Sequence, residues 1–223
     1  MTETHRQIGF SLLLAGVVVT AAYAMLAVAY PGICYLSGNI VRSDVAETFY
    51  FVAMGTVLYG LVRLLREQPV PVALAFGPLR FDRVTAIFVF AAVVLQIIET
   101  GVLFSGLFIT AEELTSSQRE ASAFGALNAI VLAPVFEELV FRGFLYTRIE
   151  RFAGFIPALV WSSLAFALFH IEHGIGYVIA MIPGGFFLGY ARSKSGNVAL
   201  SMALHAGMNT SIVLGGLLLF GWR

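Results

Sequence analysis

Long apolar runs fill most of the chain, and polar residues gather in short clusters between them. A helix that crosses a bilayer core of about 30 Å needs roughly 20 mostly apolar residues. Seven stretches qualify, at about 9–30, 46–65, 84–108, 121–147, 153–170, 174–191 and 197–220. The pattern therefore predicts an all-α fold, a polytopic transmembrane helical bundle of about seven to eight spans. The first run, Gly9 to Tyr30, is longer than the roughly 7–15 residues of a signal-peptide core, so it is expected to stay as a span. No polar stretch is long enough for a soluble domain, so residues 1–223 are expected to form a single membrane domain.

Loop and breaker residues refine this outline. Pro69, Pro71, Gly77 and Pro78 make the stretch from Pro69 to Arg83 a connector. Ser117-Gln-Arg-Glu120 has the spacing of a capping box, which starts the fourth helix near Gln118. A helix from there to Arg151 is about 51 Å long at about 1.5 Å per residue, so it must tilt, kink or project. Pro134 supplies a kink and frees a backbone carbonyl near Ile130. Gly185-Phe-Phe-Leu-Gly189 matches G-x-x-x-G, which reads as close helix packing.

Charge adds an orientation. Arg6, then Arg63, Arg66, Arg80 and Arg83, then Arg148 and Arg151, then Arg192 and Lys194 all fall on one side if the N-terminus is cytoplasmic. That places the chain in a membrane as a multi-pass protein, expected to be a bacterial cytoplasmic membrane. Overall, 59% of the residues are hydrophobic and 12% charged, against about 25% charged in soluble domains. Mean hydropathy is +0.90. Thirteen basic residues balance thirteen acidic ones, so no nucleic-acid partner is indicated. Cys34 stands alone, which leaves no intrachain disulfide and no cysteine metal cluster.

Against this background Ala133–Arg148 is anomalous, because an apolar run carries Glu137, Glu138 and Arg142. An ionised side chain at bilayer depth costs several kcal/mol or more, with values from about 2.5 to 17. Glu138 and Arg142 are four apart in the favourable order for an ion pair. Glu137 points about 100° away, so Arg142 does not easily serve both. Adjacent carboxylates in low dielectric repel and are not expected to ionise together. The similar pair Glu112–Glu113 lies among Thr115, Ser116 and Ser117 and reads as solvated. His170 ends the fifth span, with His173 at a loop edge. His205 and Asn209 share one face of the seventh. Glu99, with Gln96, is a further buried carboxylate that lines the same cavity or pairs with an Arg. Each of these has a structural reading: a neutralised pair, an interfacial histidine, a hydrogen-bonded core pair.

Taken together they supply what attack on an amide needs. Glu137 and one imidazole can hold and deprotonate a water, and the other imidazole and the Asn209 amide can donate to the oxyanion. There is no H-E-x-x-H, and His170-Ile-Glu-His173 has the wrong spacing for one. No G-x-S-x-G is present. Counted from the loops, Glu137 lies about 15 Å from the end of helix four at Arg148, and His170 about 25 Å along helix five. Level helices would keep them apart unless helix four projects past Arg151 or kinks at Pro134.

The ordered set Glu137-Glu138-x-x-x-Arg142, Phe166-x-x-x-His170 and His205-x-x-x-Asn209 resembles the CPBP family of CAAX-processing and bacteriocin-processing intramembrane proteases, also called Abi. The resemblance spans about Ala121 to Leu214 and divides the chain into accessory spans at 1–115 and a catalytic core at 116–220. It implies Glu137 as base, His170 positioning the water, His205 and Asn209 on the oxyanion side, and Glu138 and Arg142 in support. It also implies an endopeptidase acting on a membrane-tethered peptide or protein near its C-terminus, in contact with the lipid bilayer. No cofactor is favoured. Zinc is the alternative, with Glu137, His170 and His205 as three ligands and an open fourth position. Asn209 beside His205 suits hydrogen bonding better than ligation. A non-catalytic immunity or binding protein of the same fold and a small-solute transporter are the rival readings.

Overall fold

The computed structural model describes residues 2–36, 43–64, 82–104 and 123–220. Among them every regular element is helical. We number the helices α1 (Glu3–Leu36), α2 (Ser43–Leu64), α3 (Arg83–Phe104), α4 (residues 123–153), α5 (Phe155–Phe169), α6 (Ile175–Ser195) and α7 (Val198–Phe220). They follow the seven apolar runs of the sequence one for one. By length and composition, Glu3–Tyr30, Val45–Leu64 and Ile175–Ser195 can cross a membrane, and Phe155–Phe169 and Val198–Leu214 are apolar but shorter. The connector from Pro69, the capping box at Ser117 and the pair Glu112–Glu113 lie outside the described residues.

Two apolar clusters build the interior. One unites α1, α2, α4 and α5 through residues such as Val18, Met54, Leu145 and Phe166. The other unites α3, α6 and α7 through Phe88, Leu188, Ala191 and Leu204. Contacts from α4 to α6 and α7 join the two. Helices α1 and α2 are thus packed into the same core as α4.

Helix α4 is one continuous rod with two stretches of π geometry, Asn128–Leu132 and Leu139–Tyr146. Pro134 accounts for the first. The Ala133 N–H bonds to the Asn128 carbonyl five positions back. The next donor in that register would be Pro134, which has no N–H. The Ala129 carbonyl is left over, and the Asn209 side-chain amide of α7 donates to it at 2.7 Å. The carbonyl freed by the proline is therefore that of Ala129 rather than Ile130, because the π register shifts it by one residue. π-Bulges of this kind occur frequently at functional sites.

Turns set the heights of the site residues. Helix α4 continues past Arg151 to Ala153 and reverses at Gly154, whose φ of 82° favours glycine. Glu137 lies seventeen positions before Gly154 and His170 sixteen after it. At about 1.5 Å per residue both stand about 25 Å from the turn. The expected mismatch in depth came from placing the turn at Arg148, and the projection of α4 removes it.

Candidate active site

Glu138 and Arg142 form the centre of the polar seam. Arg142 Nη1 donates to Glu138 Oε1 at 3.1 Å, and both side chains have 0% exposure. Arg142 Nη2 donates to the Gly185 carbonyl at 2.9 Å, and its guanidinium lies 4.3 Å from the centroid of the Phe166 ring. The Ser163 hydroxyl donates to the same carbonyl at 3.0 Å. Gly185 allows this approach: a Cβ there would stand 3.0 Å from the Ser163 backbone oxygen and 3.3 Å from Phe166 Cδ1. The G-x-x-x-G stretch therefore packs α6 against α5, as expected from the sequence.

Glu138 also fixes His205, whose Nδ1 lies 3.1 Å from the same Oε1. With Arg142 on that oxygen the carboxyl is an acceptor, so Nδ1 carries the hydrogen. A neutral ring then has its lone pair on Nε2. His170 Nδ1 lies 3.0 Å from the Phe166 carbonyl, which can only accept. Its Nε2 is likewise the free nitrogen, and the edges of Phe166 and Phe169 hold the ring.

Glu137, unlike Glu138, faces the cavity. It is 4% exposed, and its Oε2 is buried without a hydrogen-bond partner. Glu138, Arg142, His205 and Glu47 act on it electrostatically. Glu137, His170, His205 and Asn209 line one cavity of about 460 Å³. Glu99 and Gln96 reach it from α3. The structure thus brings together all four residues expected from the sequence, and Glu138 and Arg142 buttress them from behind.

Some features escaped the sequence. Tyr23, Glu47, Tyr50 and Tyr177 also line the cavity. None of the four stands out in the sequence, and only the three-dimensional packing of α1, α2 and α6 reveals them. Glu172, in the short turn after α5, accepts from the Tyr23 hydroxyl and helps form the mouth. His173 sits beside Glu172 with Nε2 3.7 Å from its carboxylate. The Asn209 amide is engaged by the Ala129 carbonyl, so this residue shapes α4 as well as lining the cavity.

Zinc would need Glu137 and the two histidine Nε2 atoms to converge. Among the described residues no three His, Cys, Asp or Glu side chains stand close enough together to hold a metal ion.

Residues 119–211 match the family model described as Type II CAAX prenyl endopeptidase Rce1-like. The matched stretch contains Glu137, Glu138, Arg142, His170, His205 and Asn209, and it bears out the resemblance to the CPBP proteases. No curated protein and no solved structure matches the chain. The apolar helices and this match together mark an integral membrane protein.

Proposed function

We propose that this chain, with its Rce1-like segment at 119–211, is an intramembrane endopeptidase that uses Glu137 to activate water. The observation that carries the proposal is the buried, unpartnered Glu137 oxygen in a cavity shared with His170 and His205. A carboxylate kept there without a partner is costly for the fold and fits a reactant. A water held by Glu137 and the bare His170 Nε2 donates a hydrogen to each. Glu137 takes its proton as the water oxygen attacks the carbonyl carbon of the scissile bond. The charge that develops on the carbonyl oxygen needs donors in place, each worth about 3 kcal/mol in other hydrolases. The second hydrogen of the Asn209 amide, the first being held by the Ala129 carbonyl, supplies one, and His205 supplies another through Nε2 after taking a proton from solvent at the cavity mouth, with Glu138 as its counter-charge. As the C–N bond breaks, the proton held by Glu137 passes to the leaving amine. The substrate is a membrane-tethered peptide or protein cut toward its C-terminal end.

The test uses the full chain in liposomes with lipid-anchored peptides, and mass spectrometry of the fragments. The wild type should cut, and Glu137→Gln should fold normally and not cut. Cleavage by Glu137→Gln at the wild-type rate would overturn the proposal. Solute flux across sealed vesicles without fragments would indicate a transporter, and peptide capture without fragments an immunity or binding protein.

A further inference from the structure

The cavity has a charge balance that hydrolysis alone does not require. Glu47, Glu99, Glu137 and Glu172 line it, and among the described residues no Lys or Arg does. Arg142 has no exposed surface and is committed to Glu138 and the Gly185 carbonyl. Glu47 and Glu172 stand exposed at the mouth, where Asn128 donates to the first at 3.2 Å and Tyr23 to the second.

Glu99 is the unusual member. It comes from α3, outside the segment that matches the family. It is 7% exposed, and its Oε1 is buried without a hydrogen-bond partner. It enters over Gly184, where a Cβ would stand 3.1 Å from that oxygen, so the glycine makes room for it. Tyr177 lies in electrostatic range of both Glu99 and Glu137, which places the two acids around one chamber. A structural carboxylate at this depth would normally pair with a cation of its own bundle. None of the lining residues is a Lys or Arg, and the three lining histidines are engaged elsewhere, His170 with the Phe166 carbonyl, His173 with Glu172 and His205 with Glu138, so the partner is expected to arrive with a ligand. Tyr50, Phe166, Phe169 and Tyr177 supply aromatic walls, which suit an ammonium or guanidinium group.

We infer that Glu99 is a specificity-determining residue that receives a Lys or Arg side chain of the substrate next to the scissile bond. This rests on the hydrolytic reading of the same cavity. A free C-terminal carboxylate inside it would meet four acids and, among the described residues, no Lys or Arg, so the end of the substrate chain lies outside.

The test compares lipid-anchored peptides that carry Lys or its neutral analogue norleucine beside the cut. In the wild type, kcat/KM should favour Lys by about tenfold or more, the scale of a close charge pair. Glu99→Gln should bring that ratio to about one, and Glu99→Asp should restore much of it. Binding of the same two peptides to the Glu137→Gln chain gives a readout independent of cleavage, with the same preference expected. Equal binding of the two peptides there, or a Lys preference that survives Glu99→Gln, overturns the inference. A preference present in phosphatidylglycerol vesicles and lost in phosphatidylethanolamine vesicles would assign Glu99 to a lipid ammonium and also overturn it. Failure of the hydrolytic reading shows itself separately, as cleavage that does not depend on Glu137.

Discussion

Replacing Arg142 with Met removes a cation that has no exposed surface and two hydrogen-bond partners, Glu138 at 3.1 Å and the Gly185 carbonyl at 2.9 Å. Met fills much of the same volume, so the cavity left is small. The Gly185 carbonyl keeps the Ser163 hydroxyl at 3.0 Å and is not stranded. The dominant loss is the charge opposite Glu138, and breaking a buried pair on one side costs about 3–5 kcal/mol. The Phe166 contact at 4.3 Å belongs to the same loss and is not added to it. Substituting both partners, Glu138→Leu with Arg142→Met, should recover most of that stability, because apolar replacement of a whole buried pair is often neutral or better. Activity should not return with it, since His205 has then lost the oxygen that anchors its Nδ1. Unfolding of the purified chain in micelles, followed by circular dichroism, measures both variants. A single variant within about 0.5 kcal/mol of wild type, or a double variant less stable than the single one, would refute the reasoning.

Three further consequences follow from the packing. Gly185→Ala should destabilise by about 1–3 kcal/mol through overpacking against α5, whereas Gly207→Ala, with nothing within 4 Å of the new Cβ, should stay within about 0.5 kcal/mol of wild type in the same melts. Asn209→Leu strands the Ala129 carbonyl and should cost about 1–3 kcal/mol, with hydrogen exchange of α4 accelerated around residues 128–134. At the start of α3, the Asp82 carboxylate accepts the Thr85 N–H at 2.9 Å, a bond that holds its carboxyl below the usual aspartate range. The depressed value means that this cap is fully present above the unfolded-state pKa and is lost as pH falls through the folded one. The protection factor of the Thr85 amide, taken against its intrinsic exchange rate at each pH, should therefore fall as pH drops below the usual aspartate range and hold steady near neutrality.

The apolar runs located the seven helices of the described residues, since each run had to be buried or lipid-facing whatever its neighbours did. The Glu138–Arg142 pair was legible because four residues set one helical face. The partner of Glu138 on the far side, His205, was not legible, because nothing in the spacing says that α7 lies against α4. Pro134 announced a disrupted backbone, but which carbonyl it frees depends on the π register, and that register is fixed only by the packing of Asn209 from another helix. The depth conflict arose from counting the end of the fourth helix at Arg148. Arg148 and Arg151 both belong to the last turns of α4, where Arg148 is 8% exposed and donates to Ser11 at 3.0 Å. The contribution of α1 to α3 to the cavity was largely hidden, because Tyr23, Glu47 and Tyr50 carry no spacing signal of their own.

The most direct test of the central claim is a double-mutant cycle on the water site. If Glu137 and His170 hold one reacting water, either Glu137→Gln or His170→Ala alone abolishes most of kcat, and the double variant loses little more than the worse single one. Losses that multiply, so that the double variant falls by the product of the two, would show two independent contributions and contradict a shared water.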